Sequence, residues 1–250
     1  MKKIFICGES YVGYTVHVKG ADSMCTTGYF ENVGWLRKAL EKAGYEVTYM
    51  PSHEALSSFP DTVEKLGEYS AVILSDVGAN TLMMTTRSFR SSLPAPDRCR
   101  AIREYVENGG GFIMVGGFMS FTGIEGKARY GMTPVADILP VRLLPYDDRV
   151  EVSSGAYPHI LKPEHPVLNN MPDRWSYFIG YNKTIADDSL GTVLATIGSD
   201  PLIAVREVGK GRSAVFTSDC APHWAPEAFL NSPDYDTLWK NLADWVTRTV

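Results

Sequence analysis

Three short apolar runs, each ended by glycine or by polar residues, constrain the fold of this chain more than any other feature. They are residues 3–7, 71–74 and 112–115. Runs of this length are typical of strands buried on both faces, and helical patterns lie between them. The alternation of strand and helix predicts a mostly parallel sheet with helices on both of its faces.

The segments between these runs differ in clarity. Residues 10–26 are polar and rich in glycine, and we expect a loop there. Apolar residues between Phe30 and Leu40 then recur at helical spacing, and Gly44 ends the pattern where a glycine cap belongs. Residues 77–93 show no regular pattern, and we expect irregular structure.

The final third of the chain predicts a β-hairpin and a terminal helix. Residues 202–208 and 213–217 are rich in valine and alternate in polarity, and the turn Gly209–Gly211 joins them. That pattern is typical of a hairpin. Ser232 and Pro233 then supply the N-cap and the first-turn proline of a helix that carries the last apolar stripe.

Length and charge limit the number of domains and the kinds of partner. The chain has 250 residues, which suits a single α/β domain over residues 1–250. Residues from about 118 to 190 are rich in proline and weakly periodic, and we interpret them as an elaboration of that domain. Lys and Arg total 24 against 29 Asp and Glu, with no basic run, so we expect no nucleic-acid partner.

Hydropathy and cysteine usage predict a cytoplasmic protein. No apolar run approaches the roughly 20 residues that a membrane span needs, so we expect no membrane partner. The apolar stretch in residues 1–7 is too short for a signal peptide, and we interpret it as the first strand. The four cysteines are scattered along the chain, which fits reduced thiols.

Polar residues follow the predicted strands at the edge of the sheet where ligands of open parallel sheets bind. Polar and aromatic side chains gather there, so we expect a small-molecule ligand. The candidate ligand-binding residues are Glu9, Tyr11, Asp76, Gly117, Phe118 and Ser120. The tyrosines of residues 10–26 also suit a subunit interface, and a homo-oligomer is a further expectation.

The candidate catalytic residues, Asp219, Cys220 and His223, follow the last predicted strand. Cys220 and His223 are close enough in sequence to meet in a turn, where the imidazole would activate the thiol and Asp219 would orient the imidazole. The alternative is a half-buried loop cysteine beside a structural histidine. The residues alone leave both interpretations open.

Motifs for a cofactor or a metal do not occur. The glycine-rich stretch 109–117 lacks the Gly-Lys-Ser/Thr ending of a phosphate-binding loop, and the turn at residues 8–13 lacks the spacing of a dinucleotide site. The histidines and cysteines show no close ligand spacing. We therefore expect no cofactor and no metal site. The alternative is a metal site assembled from Glu9, Asp76, Asp219 and His223 across the strand ends.

Several segments resemble the class I glutamine amidotransferase-like superfamily. Residues 108–118 resemble its helix–strand–elbow, and residues 203–211 with 215–219 resemble its hairpin and last strand. Residues 164–168 resemble its trehalose-utilisation-like branch, and residues 121–130 resemble a glutamine amidotransferase branch. The resemblance implies a flavodoxin-like three-layer sandwich of the α/β class, with a mostly parallel sheet and a C-terminal β-hairpin.

The same resemblance implies that the usual glutaminase triad is incomplete. The elbow position that carries the superfamily's nucleophilic cysteine is Phe118 here, and a phenyl ring cannot attack an amide. The superfamily places a histidine and a glutamate two residues apart after the last strand. His223 lies in that neighbourhood, but Ala225 occupies the second position and Glu227 lies four residues along.

Two classes of function remain open. One is a hydrolase of polar small metabolites with a non-standard site around His223, Asp219 and Cys220. The other is a catalytically silent binding or assembly protein that kept the fold. An activated thiol or a bound metal would favour the enzyme, whereas a pocket filled by Phe118 and Met119 would favour the silent protein.

Overall fold

The computed structural model describes every residue from Met1 to Val250. The strands are β1 Lys3–Gly8, β2 Ser10–Lys19, β3 Asp22–Glu31, β4 Glu46–Met50, β5 Ala71–Ser75, β6 Gly111–Val115, β7 Val141–Leu143, β8 Arg149–Ala156, β9 Pro158–Ile160, β10 Phe178–Asn182, β11 Thr184–Ala186, β12 Thr192–Ile197, β13 Asp200–Val208 and β14 Gly211–Phe216. The α-helices are α1 Gly34–Lys42, α2 Ser52–Ser58, α3 Val63–Leu66, α4 Ala79–Met83, α5 Thr86–Ser91, α6 Arg98–Glu107, α7 Glu227–Leu230 and α8 Pro233–Val246. Short 3₁₀ helices span Ile124–Gly126, Tyr130–Met132, Pro134–Ile138 and Pro166–Leu168.

Eight strands form the central sheet in the order β4-β1-β5-β6-β14-β13-β12-β9. The first five strands in this order run parallel, and each of the last three is antiparallel to its neighbour. Numbered along the chain, the parallel strands follow the order 2-1-3-4-5 of flavodoxin-like sheets. This order confirms the predicted mostly parallel sheet, and the β13–β14 pair confirms the C-terminal hairpin.

The core lies in two layers, one on each face of the sheet. Successive side chains of a strand point to opposite faces, so Ile4 packs in the layer that contains Leu242 of α8. Its neighbour Phe5 packs in the other layer, which contains Ile102 of α6. Both faces are buried under helices, which explains why the parallel strands read as continuous apolar runs.

The segment expected to be a loop is a two-stranded ribbon, here called the β2–β3 ribbon (residues 10–31). Its strands pair antiparallel over their whole length. The loop prediction was wrong because the apolar residues alternate from Val12 to Val18, which is a strand pattern despite the glycines around it. Phe30 likewise belongs to β3, and α1 begins only at Gly34.

Two other regions carry more regular structure than expected. Residues 77–93 contain the short helices α4 and α5. In the middle of the chain, β8 pairs with β10 and β7 pairs with β11, and β9 joins the edge of the central sheet. No helix of the chain combines the length and the hydropathy needed to span a bilayer.

Candidate active site

Three acidic side chains meet where parallel strands end. Glu9 follows β1, Asp76 follows β5, and Asp219 lies shortly after β14. Because these strands are parallel, their carboxyl ends share one edge of the sheet. Glu9 and Asp219 are buried and Asp76 is half-buried. The charges of Asp76 and Asp219 both act on the Glu9 carboxyl, so we call these three residues the acid cluster.

The backbone at two members of the acid cluster is strained. Glu9 has φ 49° and Asp76 has φ 45°, values in the left-handed region that residues other than glycine seldom adopt. The Glu9 amide donates to the Ser75 carbonyl at 2.9 Å, and the Asn32 amide donates to the Glu9 carbonyl at 2.9 Å. Strain of this kind amounts to about 1–3 kcal/mol per residue and concentrates at functional sites.

Ser75 connects the acid cluster to Cys220. Its Oγ donates to Glu9 Oε1 at 2.6 Å and lies 3.4 Å from the Cys220 Sγ. Glu9, Asp219 and Cys220 each offer one ligand atom, and these atoms lie within 4.8 Å of one another. A thiolate and two carboxylates at such distances are a donor set that a divalent cation could occupy.

No lysine or arginine neutralises the acid cluster. Its one ion-pair contact joins Asp219 Oδ2 to His223 Nδ1 at 3.6 Å. Burial, followed by repulsion from Asp219 and Asp76, raises the pKa of Glu9 well above its usual value. Burial and the charge of Asp76 do the same to the pKa of Asp219, and burial raises the pKa of Asp76. The acid cluster therefore retains protons at pH values where ordinary carboxyl groups are ionised.

His223 lies beside the acid cluster with 37% of its side chain exposed. Its ring meets Phe118 edge-on with centroids 4.1 Å apart and stacks on Trp224 at 5.0 Å. The Arg149 guanidinium lies over the Phe118 ring, 5.3 Å from its centroid. Trp224 Nε1 donates to Glu151 at 3.2 Å. Burial lowers the pKa of His223 although nearby carboxylates oppose the shift, so the neutral imidazole is favoured.

The elbow after β6 is held in place from the middle of the chain. Gly117 has φ 149°, and a Cβ at this position would lie 2.8 Å from Asp76 Oδ1, so only glycine fits. The Gly117 amide donates to Asn182 Oδ1 at 2.9 Å, and Asn182 Nδ2 donates to Asp148 at 2.8 Å. These contacts fix the turn that presents Phe118 to His223.

Cys220 lies in surroundings that favour the neutral thiol. Its side chain is fully buried. Burial, and then the charges of Glu9 and Asp219, raise the pKa of Cys220 well above its usual value. A nucleophilic cysteine needs the opposite shift, so this environment opposes the thiolate that a cysteine-based mechanism requires.

Two further predicted site residues have structural contacts. Ser120 is buried, and its Oγ accepts a hydrogen bond from the Asp76 amide at 3.1 Å, which supports the acid cluster through the backbone. Tyr11 lies on the β2–β3 ribbon, half-exposed and stacked on Phe30 at 5.0 Å. It lines a surface cavity of about 230 Å³ together with His53, and the acid cluster does not contribute to that lining.

Sequence reasoning did not select five residues that shape the site: Ser75, Arg149, Glu151, Asn182 and Trp224. Ser75 and Trp224 were visible as direct neighbours of selected residues. The other three lie on β8 and β10, in the weakly periodic middle region, where the sequence carries no sign of the strand pairing.

The chain matches a described family and is similar to two solved bacterial proteins. The family model described as "Putative glutamine amidotransferase" matches residues 3–248. The cytoplasmic protein STM3548 of Salmonella typhimurium is 40% identical, with a TM-score of 0.94 and 98% of each chain covered. The cytoplasmic protein STM1381 of Salmonella typhimurium LT2 is 39% identical, with a TM-score of 0.94 and coverage of 98% of this chain and 99% of that one.

More distant structures share the fold alone. A ThuA-like protein from Bacteroides uniformis is 13% identical, with a TM-score of 0.55 and coverage of 98% of this chain and 91% of that one. A comparison with curated proteins finds no match.

Proposed function

The chain belongs to the "Putative glutamine amidotransferase" family, and we propose that it hydrolyses a small polar metabolite by acid–base chemistry without a cysteine nucleophile. The observation that carries this proposal is one edge of the sheet at which a neutral imidazole and an unneutralised acid cluster meet. The surroundings there lower the pKa of His223 and raise the pKa of Asp76. Titratable groups with such opposed shifts are the usual acid and base of an active site.

In the proposed mechanism His223 is the general base. Its Nδ1 lies 3.6 Å from Asp219 Oδ2. A small movement on substrate binding would form the hydrogen bond that orients the ring and leaves the other ring nitrogen for a water molecule. The imidazole takes a proton from that water as the oxygen attacks the substrate. Asp76, the half-buried member of the acid cluster, donates a proton to the leaving group. The His223 imidazolium then transfers its proton to the acid cluster, which restores both groups to their starting states.

The environment of the two candidate nucleophile positions supports water as the nucleophile. Phe118 stands at the elbow after β6 and its ring has no nucleophilic atom. Cys220 is buried with a raised pKa. A thioester intermediate of the glutaminase type therefore has no thiolate to form on, and direct attack by water is the simpler route.

The side chains around His223 suit a polar substrate with a flat or weakly apolar face. Phe118 and Trp224 offer aromatic rings, and Arg149 brings a cation beside them. Aromatic rings next to hydrogen-bonding carboxyl groups are the usual lining of sites for sugar derivatives and small amides. We therefore place the substrate among such metabolites.

The test is a screen of chromogenic esters, anilides and glycosides against the wild type and four variants. His223→Gln and Asp76→Asn should each lower kcat by about 100-fold or more. Cys220→Ser should keep the activity, which separates this mechanism from a thiol route. His159→Gln removes an exposed histidine on β9 and is the matched control. Loss of activity in Cys220→Ser with retention in His223→Gln would overturn the proposal.

The second candidate function is a catalytically silent binding protein, and one observation favours it. The Phe118 ring packs 4.1 Å from the His223 ring and so fills the elbow where a nucleophile would stand. This alternative predicts no turnover in the same screen. It also predicts that a bound metabolite raises the melting temperatures of the wild type and of His223→Gln by the same amount.

We also place the protein in the cytoplasm, as its two Salmonella relatives are described. Fractionation of the native cells with an antibody to this chain tests the location. A signal confined to the membrane or the medium would contradict it.

A further inference from the structure

The β2–β3 ribbon carries an apolar face that nothing in the protomer buries. Cross-strand partners share a face of the ribbon and successive residues alternate between faces. Val12, Tyr14, Val16 and Val18 therefore lie on one face, with Cys25 opposite Val16. We call this the valine face. Tyr14 is 65% exposed and Val18 is 72% exposed.

Only the base of the ribbon contacts the body of the protein. The Ser52 amide donates to Ser10 Oγ at 2.8 Å, and the Tyr29 ring meets the His53 ring at 5.2 Å. Beyond this base the valine face is exposed as far as the turn. A two-stranded ribbon alone is at best marginally stable in water, so its long regular pairing calls for a partner surface.

The ribbon also lacks the features that keep free strand edges apart. β2 pairs only with β3, so each strand has one edge of unpaired backbone groups. Soluble proteins usually protect such edges with proline or lysine. Residues 10–31 contain no proline, and their one lysine, Lys19, stands beside the turn. No charged residue lies on the valine face between Val12 and Val18.

A second apolar surface lies beside α2, the helix that the base of the ribbon also contacts. Met83, Met84, Phe89 and Leu93 of the α4–α5 region are all exposed, and Phe89 is 73% exposed. Met84 and Phe89 line a cavity of about 690 Å³ together with Leu56 of α2, and Arg90 and Arg129 line it as well. We call Leu56, Met83, Met84, Phe89 and Leu93 the methionine patch. Methionine surfaces adapt readily to a partner's shape.

The ribbon and the patch share α2 as a neighbour. Ser52 and His53, at the start of α2, hold the base of the ribbon, while Leu56 of the same helix reaches the cavity of the methionine patch. One surface of the protomer therefore presents both a projecting apolar arm and an apolar recess. A copy of the same surface can satisfy both at once.

We propose that the β2–β3 ribbon is an assembly arm whose valine face packs on the methionine patch of a second copy of this chain. The seven cross-strand pairs from Val12 to Val18, at about 3.4 Å each, make a face about 24 Å long and about 10 Å wide, or about 240 Å². Each protomer gives one arm and one patch, so it buries about 480 Å². A standard stable interface buries about 800 Å² per partner, so the contact supplies more than half of that area.

A second copy explains the observations better than an unrelated partner does. The two surfaces occur together on every protomer at equal number, and the valine face carries no charge that would specify a charged peptide or a nucleic acid. Mutual exchange of arms covers the valine face and the methionine patch at once. A different partner would leave either the arm or the patch in water.

The test measures the mass of the full-length protein by sedimentation and uses Cys25 as an internal reporter. Cys25 lies on the valine face and is the one exposed cysteine, because the other three are buried. Val16→Asp alters the arm and Phe89→Asp alters the patch. Thr15→Asp puts the same charge on the opposite face of the ribbon and is the matched control. All three positions are exposed in the protomer, so circular dichroism should show an unchanged fold.

We expect the wild type and Thr15→Asp to sediment at the same multiple of the protomer mass. Val16→Asp and Phe89→Asp should each fall to the protomer mass. A maleimide should label Cys25 slowly in the wild type and rapidly in Phe89→Asp, although residue 89 is far from Cys25 in the chain. A wild type that sediments as a protomer would overturn the proposal, and so would assembly that persists in both variants with Cys25 freely labelled.

Discussion

The substitution Glu9→Gln tests whether the acid cluster holds protons in the folded protein. Glutamine has the shape of a protonated glutamate and its Oε1 can still accept the hydrogen bond from Ser75. It has no proton to release at neutral pH. The variant therefore keeps the contacts of the protonated side chain and removes its titration.

The sign of the effect follows from the direction of the shift. Burial and like charges raise the pKa of Glu9 in the folded protein above its usual value of 4.5. Above that pH the unfolded chain releases the proton while the folded chain keeps it, so the free energy of unfolding falls as the pH rises. Each retained proton lowers it by about 1.4 kcal/mol per pH unit. Over the roughly three units to pH 7.5 the effect reaches at most about 4 kcal/mol.

The assay is urea denaturation of the wild type and Glu9→Gln between pH 5 and pH 8, at one ionic strength. We expect the two proteins to be nearly equal in stability at the acid end and the variant to be increasingly more stable toward the alkaline end. Glu68→Gln, at an exposed position, is the control and should show no such divergence. Parallel profiles for Glu9→Gln and the wild type would refute the reasoning. A wild type that gains on the variant as the pH rises would show that Glu9 is ionised and stabilised in the fold.

Two further substitutions test the contacts around the elbow. Asp148→Ala removes the carboxylate that accepts hydrogen bonds from the Thr122 and Gly123 amides at 2.8 and 2.9 Å. Each buried donor left unpaired costs about 1–3 kcal/mol, so urea denaturation should show that the free energy of unfolding falls by about 3 kcal/mol or more. Gly180→Ala places a Cβ 2.2 Å from the Trp224 Nε1, so the indole must move. Thermal denaturation should show that the free energy of unfolding falls by about 1–3 kcal/mol. An unchanged melting temperature with unchanged tryptophan fluorescence would contradict this contact.

The fold was largely predictable because burial on both faces leaves a strong record in the sequence. A parallel strand under helices has no solvent face, so residues 71–74 and 112–115 appear as uninterrupted apolar runs. The terminal helix was equally clear because Ser232 caps it and accepts the Tyr235 amide. These signals are local, and local signals survive without knowledge of the tertiary structure.

The β2–β3 ribbon escaped prediction for the opposite reason. Its alternation from Val12 to Val18 is a strand pattern, but it has no buried counterpart in the protomer and stands among glycines and polar residues. The sequence alone favours a loop for this segment, because no other predicted element offers a surface on which its apolar face could pack. We propose a second chain as the partner of these exposed valines.

The strand-end acids were predictable in their position in the fold and not in their protonation. The strand-end rule selected Glu9, Asp76 and Asp219 correctly as residues of one edge, because parallel strands align their carboxyl ends. The raised pKa of Cys220 depends on full burial and on two carboxyl groups that come from distant parts of the chain. Spacing in the sequence left an activated thiol and a structural cysteine both open, and the tertiary contacts favour the neutral thiol.

Glu9 links the two proposals, because it lies between the first strand of the sheet and the first strand of the ribbon. Its amide is held by Ser75 in the sheet, and its carbonyl is held by Asn32 at the other root of the ribbon. A partner that fixes the ribbon therefore also fixes the strained backbone at Glu9. Assembly makes the free energy of unfolding depend on protein concentration, whereas the titration of one carboxyl group does not. At a single protein concentration, a difference in the free energy of unfolding between the wild type and Glu9→Gln that widens with pH therefore belongs to the acid cluster. A free energy of unfolding that falls on dilution in both proteins, at constant pH, belongs to the arm.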